Sequence, residues 1–205
     1  MLISIVVFDD FTDLDVFLMW DLFNRVQHPR WKVQLIGEGL QHRSRTNIPI
    51  PMHGSLDQAA KSDAVLIASG PGVRQKMSDP QFLAALKLDP QRQLIGSICA
   101  GSLILAALGL LTRKRATTHP SVRQLLQTFD VHVVDRPFVR DGKVATAAGC
   151  LAAQHLVAWV VGQLASDEER DRVLESVQPV GGSSAFVLPH LASQREMHML
   201  RRADW

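Results

Sequence analysis

The chain has 205 residues, of which 46% are hydrophobic, and its 22 lysines and arginines nearly balance 20 aspartates and glutamates. This balance excludes a strongly basic nucleic-acid binder, and we expect no nucleic-acid partner. No apolar run approaches the roughly 20 residues that a membrane span requires, so we also expect no membrane partner. Two cysteines are too few for a disulfide framework, and the N-terminus has no signal-peptide pattern, which together favour a cytoplasmic protein.

Segments typical of strands and helices alternate along the chain. In chain order we predict a strand at 2–8, a helix at 13–26, a strand at 31–37, an edge hairpin or loop at 42–56, a strand at 63–69, a helix at 79–88, a strand at 93–98, helices at 100–111 and 119–129, strands around an Asp-Gly turn at 131–147, and a helix at 151–164. Continuous apolar strands bracketed by helices predict an α/β fold whose parallel sheet is covered on both faces.

The chain shows no internal repeat and no linker within its main body. We therefore predict a single domain over 1–205, with its core at about 2–180. Segment 181–205 differs in character, because it begins with Gly-Gly-Ser-Ser and ends in a basic stretch that contains methionines. It is interpreted as a C-terminal tail or as a short helix that packs on the body or on a partner.

Cys99 lies between a predicted buried strand and the helix that follows it. Ligands of open parallel sheets gather at the carboxyl ends of the strands, where the loops 8–15, 68–72 and 97–101 should meet. Ser97 and Gly101 are small neighbours two positions either side, as a sharp turn that displays a nucleophile requires. A helix that begins just after Cys99 would lower the pKa of its thiol. The alternative interpretation is a cysteine packed in the core.

Backbone N–H groups near Cys99 are the candidate oxyanion donors. Ala100 directly follows the cysteine and offers the first N–H group. Gly70 can offer the second, because a residue without a side chain allows the backbone to approach closely. We assign Gly70, Ala100 and Gly101 to oxyanion or substrate binding.

A thiolate nucleophile needs an acid–base partner, and two residues are candidates. Asp15 stands in the first turn of helix 13–26, and beside a cysteine sulfur its carboxyl should have a raised pKa and donate a proton. Its structural alternative is a capping box, with Thr12 as the N-cap and Asp15 three residues later. His119 precedes a proline at a helix start, so it is interpreted either as a catalytic base or as the cap of that helix.

Aspartates crowd the first loop, which also raises the question of a metal site. They are Asp9, Asp10, Asp13 and Asp15. Their spacing lacks the glycine and the twelfth-position glutamate of a calcium-binding loop. We therefore predict no metal and no cofactor.

Four segments taken together resemble the ThiJ/PfpI superfamily, and its isonitrile-hydratase-like branch most closely. They are IVVFDDFTDLDVFLMWDLFNRV, ASGPG, SICAGSLILAALGLLTRKRATTHP and VRDGKVATAAG, in that order and spacing, and they cover about residues 2–165. The resemblance implies a flavodoxin-like, doubly wound, mostly parallel sheet with helices on both faces, and a nucleophile elbow. It also implies a homodimer.

By position, the resemblance assigns the nucleophile to Cys99, the carboxylate that hydrogen-bonds it to Asp15, and the histidine of a TTH motif to His119. Gly70 and Ala100 fall where the oxyanion N–H groups of the superfamily lie. The implied reaction is that of a lyase, the hydration of a small isonitrile to an N-substituted formamide. The alternatives are a glyoxalase- or amidase-like enzyme acting on small carbonyls, and a non-catalytic redox sensor in which Cys99 becomes a sulfinic acid.

The chain departs from the superfamily pattern at several positions. Residues 18–20 are Leu-Met-Trp instead of Gly-Pro-Tyr, and residues 68–70 are Ala-Ser-Gly instead of Pro-Gly-Gly. Ala100 stands where the isonitrile-hydrating enzymes carry threonine and where the protease-like branch carries histidine. Asp21 occupies an acidic position of the first helix, and we assign it a structural role.

Overall fold

The computed structural model describes residues 1–179, which form a seven-stranded sheet flanked by helices, and two small two-stranded sheets. The strands are β1 (Leu2–Val6), β2 (Lys32–Gly37), β3 (Gln41–Arg43), β4 (Pro49–Pro51), β5 (Gly54–Ser55), β6 (Ala64–Ile67), β7 (Leu94–Ile98), β8 (Arg115–Ala116), β9 (His132–Val133), β10 (Phe138–Asp141) and β11 (Val144–Ala147). The α-helices are α1 (Asp13–Asn24), α2 (Val73–Lys76), α3 (Pro80–Leu86), α4 (Ser102–Ala107), α5 (Arg123–Leu126), α6 (Ala153–Leu164) and α7 (Asp167–Glu175).

The main sheet has the strand order β10-β11-β7-β6-β1-β2-β5. All of its neighbouring strands run parallel except β10 and β11, which form an antiparallel hairpin. The connection from β1 to β2 runs toward one edge of the sheet, and the connection from β6 to β7 runs toward the opposite edge. Because such crossovers are right-handed, connections in opposite directions place their helices on opposite faces. The predicted mostly parallel α/β fold is confirmed.

The central strands of the sheet have apolar sequences because they are buried. Every residue of β6 and β7 is buried, and so are all residues of β1 except the first. Central strands of a sheet covered on both faces have no solvent side, so they read as continuous apolar runs instead of alternating ones. On one face α1 packs against α6, which also contacts α7.

Several element boundaries differ from the sequence prediction. The helix predicted at 100–111 is a 3-10 turn at Cys99–Gly101 followed by α4, and Gly109 lies beyond its end with φ of +73°. The helix predicted at 119–129 is a 3-10 turn at Pro120–Val122 followed by the short α5. A glycine in the left-handed region ends a helix, and a proline at the start fixes only its first turn.

Other segments resolve alternatives or add to the prediction. Segment 42–56 contains the antiparallel pair β3 and β4, as the hairpin interpretation requires, and β5 joins the edge of the main sheet. The highly charged α7 was not predicted; the Ser166 side chain caps it by accepting from Glu169 N, and it buries Val173 and Leu174. The prediction for segment 181–205 lies outside the described residues. Within residues 1–179, no helix has the length and apolar character needed to cross a bilayer.

Candidate active site

Cys99 stands at a sharp turn at the carboxyl end of β7. Its φ of +49° lies in the left-handed region that a non-glycine residue seldom adopts, and the thiol is buried. At Gly101 a Cβ atom would lie 2.5 Å from the backbone oxygen of Ala68, so no larger residue fits there without a shift. The structure thus shows the strained strand-to-helix turn, with its small neighbour, that the sequence predicts.

Two hydroxyl groups fix the backbone of this turn. Thr118 Oγ1 donates to the carbonyl oxygen of Cys99 at 3.1 Å, and Ser102 Oγ lies 3.2 Å from the same oxygen. The two hydroxyls also bond to each other at 2.7 Å, in a buried setting. The sequence analysis did not identify either residue, although Thr118 belongs to the TTH triplet that drew attention to His119.

Asp15 lies in the first turn of α1, with only 1% of its surface exposed. The Cys99 thiol donates to Asp15 Oδ1 across 3.8 Å. The N-cap residue Thr12 makes no side-chain capping bond, so the capping-box interpretation of Asp15 is wrong. The carboxyl group is turned toward the cysteine instead of toward its own helix.

The environment of Asp15 favours its neutral form. Burial raises the pKa of the carboxyl, although contacts with Cys150, Cys99 and Ser69 and the charge of His119 act in the opposite direction. The raised pKa that the sequence analysis expects is therefore confirmed. A carboxylic acid held in this way can donate a proton to a neighbouring sulfur or to a substrate.

The pKa of the Cys99 thiol is also raised, first by burial and then by the negative charge of Asp15 and by Cys150. The expectation that a helix N-terminus would lower this pKa is wrong. The helix that follows, α4, has only six residues, and its dipole is too small to outweigh desolvation and a like charge. Cys99 therefore needs a proton acceptor at the moment it reacts, and Asp15 is in contact with it.

Cys150 is the site residue that the sequence analysis missed. Its sulfur, the Cys99 sulfur and an Asp15 carboxylate oxygen all lie within 4.8 Å of one another. Cys150 follows β11, which pairs in parallel with β7, so both cysteines emerge at the same edge of the sheet. The loop after β11 is a fourth loop at the carboxyl ends of the strands, a place that follows from the order of the strands in the sheet.

Thiolate and carboxylate groups are also ligands that zinc accepts, and three of them meet here. Asp15, Cys99 and Cys150 form the one such cluster within residues 1–179. Two other aspartates of the first loop bond elsewhere: Asp9 accepts from Arg43 N at 2.9 Å, and Asp13 accepts from Thr46 Oγ1 at 2.6 Å.

The two candidate oxyanion donors have different surroundings. The Ala100 N–H group already donates to the buried Ser69 hydroxyl oxygen at 3.0 Å, a contact that the sequence analysis did not foresee. Gly70 has φ of +145°, and a Cβ atom there would lie 2.1 Å from the Asp10 carbonyl oxygen. Glycine is therefore required at position 70 because the loop before α1 crosses it closely.

His119 takes the capping role that the sequence analysis gave as its alternative. The residue is exposed, and its Nδ1 atom accepts from Ser121 N at the start of the 3-10 turn. No hydrogen bond joins His119 to Cys99 or Asp15 in the described part of the chain, and it reaches Asp15 only through its charge. Asp21 pairs with Arg25 one helical turn away at 2.8 Å, as a structural role requires.

Known proteins with similar sequences include enzymes and a regulator. An isonitrile hydratase from Pseudomonas putida is 34% identical over 130 residues, which is 59% of this chain and 57% of that protein. A glutathione-independent glyoxalase DJ-1 from Schizosaccharomyces pombe is 26% identical over 187 residues, or 85% and 97% of the two chains. The HTH-type transcriptional regulator CdhR from Pseudomonas aeruginosa is 27% identical over 136 residues, 65% of this chain and 40% of the regulator.

Solved structures of DJ-1 and ThiJ/PfpI proteins have the same fold as this chain. Schizosaccharomyces pombe DJ-1 superposes with a TM-score of 0.75 at 21% identity, covering 87% of this chain and all of that one. A ThiJ/PfpI family protein from Pseudomonas syringae superposes with a TM-score of 0.78 at 24% identity, over 87% of this chain and 75% of that one. The model of the DJ-1/PfpI family matches residues 1–163. With this match and this fold, the chain belongs to the DJ-1/PfpI family.

Proposed function

We propose that the protein is a cysteine-dependent lyase that hydrates small isonitriles to N-substituted formamides. The observation that carries the proposal is the buried contact between the Cys99 thiol and Asp15 Oδ1 at 3.8 Å. The relative at 34% identity that is named isonitrile hydratase supports this choice of substrate. The thiol donates to Asp15 Oδ1, so the carboxylate form of Asp15 can take this proton as the sulfur attacks, and one negative charge passes through the pair without a second buried charge.

In the first step the Cys99 sulfur attacks the terminal carbon of the isonitrile. Asp15 accepts the thiol proton and delivers it to the same carbon, which leaves a thioimidate bonded to the sulfur. The raised pKa of the Asp15 carboxyl suits this transfer, because it makes the carboxylate a stronger base than an ordinary aspartate.

In the second step Asp15 takes a proton from water, and the hydroxide adds to the thioimidate carbon. The added hydroxyl group passes its proton to the nitrogen, and the carbon–sulfur bond breaks as the carbonyl forms. The formamide then leaves, and the sulfur regains its proton from Asp15. The substrate and one water molecule are consumed, and both side chains return to their starting states.

Ser69 compensates for one departure from the superfamily pattern. Ala100 supplies no hydroxyl, but the Ser69 hydroxyl lies against the Ala100 N–H group and also contacts the Asp15 carboxyl. A substrate that develops negative charge can take over the Ala100 N–H group, and the Gly70 N–H group is our second oxyanion donor. Gly101 contributes to the site by allowing the turn after β7 to lie close to the end of β6.

Turnover of a panel of alkyl and aryl isonitriles tests the proposal, with formamide production as the readout. Cys99→Ala should abolish turnover, and Asp15→Asn should lower kcat by about 100-fold or more. Asp13→Asn is the matched control, because this neighbouring carboxyl accepts from Thr46 and should be dispensable. Formamide production by Cys99→Ala at the wild-type rate would overturn the mechanism.

A second candidate is an enzyme of the glyoxalase or amidase type that uses the same cysteine on small carbonyls. The observation in its favour is the greater extent of the match to the glyoxalase DJ-1, which covers 85% of this chain. Methylglyoxal and simple amides should therefore be assayed beside the isonitriles. Turnover of methylglyoxal alone, lost in Cys99→Ala, would replace the hydratase proposal by this one.

We also propose that the protein works as a homodimer. Large apolar side chains are exposed beside the site at Leu14 and Leu151, next to Asp15 and Cys150 in sequence, and they are 45% and 61% exposed. Burying them in an interface would stabilise a dimer and shield the site from water. Sedimentation should give twice the monomer mass, and Leu151→Glu should shift the protein toward monomer.

A further inference from the structure

Cys150 has no part in the proposed reaction, although its sulfur lies close to the sulfur of Cys99. The chain has only two cysteines, and they follow β7 and β11, which are neighbouring strands of the sheet. Their sulfur atoms lie within 4.8 Å of each other. Both thiols are free in this structure.

We propose that a hydroperoxide converts Cys99 and Cys150 into a reversible intramolecular disulfide that closes the site. A disulfide needs its sulfurs at about 2.05 Å, so the two sulfurs have to approach by on the order of 3 Å or less. The proposal concerns the thiols themselves and does not depend on the hydratase activity.

The two cysteines differ in how firmly they are held. The Cys99 backbone is fixed by Thr118 and Ser102, and its side chain is buried. Cys150 is partly exposed, begins a single 3-10 turn, and follows Gly149, whose φ is +88°. Within residues 1–179, no atom beyond Gly149 and its chain neighbours lies within 4 Å of a Cβ built at Gly149, so the described residues leave this loop room to move. Cys150 is therefore the residue that moves toward Cys99.

The chemistry balances with the hydroperoxide as the oxidant. The Cys99 sulfur attacks the terminal peroxide oxygen, the O–O bond breaks, and the departing alkoxide or hydroxide takes the thiol proton by way of Asp15. The product is a sulfenic acid on Cys99, with one alcohol or water released. The Cys150 sulfur then attacks the sulfenic sulfur, the S–O bond breaks, and the hydroxide leaves as water with the Cys150 proton.

The nearby thiol decides which product forms. A sulfenic acid without a partner is oxidised further to a sulfinic acid, which an ordinary thiol does not reduce. Here the second thiol is held beside the first, so the intramolecular step should be faster than attack by a second peroxide molecule. The disulfide blocks the nucleophile until a small dithiol reduces it.

Mass spectrometry after hydrogen peroxide treatment tests the proposal, with free thiols alkylated under denaturing conditions. Wild type should lose about 2 Da, become resistant to alkylation at both cysteines, and recover both thiols with dithiothreitol. Cys150→Ser should instead gain about 32 Da at Cys99, which dithiothreitol does not reverse, while Cys99→Ser should form no intramolecular disulfide.

Two results would overturn the proposal. One is a wild-type protein that gains sulfinic acid at Cys99 while Cys150 stays open to alkylation. The other is a disulfide between two molecules, visible as a dimer on a non-reducing gel. Thermal unfolding of Cys150→Ser serves as the control for folding. Because the readout is the chemical state of the sulfurs, failure here is distinguishable from failure to hydrate isonitriles.

Discussion

At the scale of single residues, the central feature is a carboxyl and a thiol that both resist ionisation. Burial raises the pKa of Asp15, and burial together with the Asp15 charge raises the pKa of Cys99. Two interacting groups of this kind titrate as a pair, so a charge on one opposes a charge on the other. Asp15 and Cys99 are therefore suited to passing a proton during a reaction, and the site does not favour a thiolate at Cys99 before the reaction.

The raised pKa of Asp15 gives a stability prediction. A carboxyl whose pKa is higher in the folded than in the unfolded chain stabilises the fold at low pH, and this contribution is lost as pH rises through the folded pKa. The amide of Asp15→Asn cannot ionise, so this variant has no cost from burying an ionisable carboxyl group. Its free energy of unfolding should therefore exceed that of wild type at pH 7. The difference should shrink as the pH falls toward the ordinary aspartate range.

Asp13→Asn is the control with the opposite sign. Although desolvation acts against it, hydrogen bonds from Ser44 and Thr46 hold the pKa of Asp13 below its usual value. This variant should be less stable than wild type at neutral pH and equal to it in acid. Urea unfolding at several pH values measures both variants, and a falling stability of Asp15→Asn relative to wild type with rising pH would contradict the assignment.

His119 gives a second prediction, which separates capping from catalysis. Asparagine is also a good N-cap, so His119→Asn should keep the 3-10 turn and lower kcat/KM by less than about tenfold. His119→Ala should lose roughly 1 kcal/mol of stability, because the Ser121 N–H group loses its acceptor. A loss of kcat in His119→Asn as large as that in Asp15→Asn would place the histidine among the groups that transfer protons.

At the scale of elements, the turn after β7 depends on the space between it and β6. A Cβ atom at Gly101 would meet the Ala68 and Ile67 carbonyl oxygens at 2.5 and 2.9 Å. At Gly39, on the connection between β2 and β3, the nearest atom is the Gln41 carbonyl oxygen at 3.4 Å. Neither glycine has a left-handed φ, so the two positions differ in space alone.

Alanine at these two positions should therefore give different results. Gly101→Ala should destabilise the protein by about 1–3 kcal/mol or more, since backbone atoms have to shift. Gly39→Ala should change stability by less than about 0.5 kcal/mol. Chemical denaturation measures both, and equal effects would show that the turn does not need its small residue.

The connections after the strands show why some elements were predictable and others were not. The buried runs of β6 and β7 and the proline that begins α3 are local signals, and the structure follows them closely. Thr118, shortly before the 3-10 turn at Pro120–Val122, is held against the Cys99 carbonyl oxygen, and this contact between distant parts of the chain has no local signal. Helix α7 was missed because its sequence is mostly charged, and its buried side chains, Val173 and Leu174, lie near its C-terminal end.

At the scale of the whole molecule, the sequence placed three of the loops that form the site but not the fourth. Cys99 and Asp15 could be predicted to lie together because each follows closely after an evident parallel strand, and Gly70 follows a third such strand. The segment 131–147 was interpreted only as strands around a turn, and nothing local shows that β11 pairs in parallel with β7. Cys150 therefore went unrecognised, since its place in the site follows from sheet order.

The pKa of Cys99 was predicted in the wrong direction for a related reason. The sequence shows a helix after the cysteine, but it does not show how short that helix is or how deeply the sulfur lies. Burial and a neighbouring carboxyl are properties of the packed molecule, and here they outweigh the dipole of one short helix.

The central claim is that Cys99 forms a covalent bond to the substrate while Asp15 moves the proton. The most direct measurement is rapid quenching during isonitrile turnover, followed by mass spectrometry of the peptide that contains Cys99. We expect a gain of one substrate mass on Cys99 in wild type and no gain on that peptide in Cys99→Ala, which should also be inactive. Continued formamide production by Cys99→Ala, with no adduct on the wild-type peptide, would show that Cys99 is not the nucleophile.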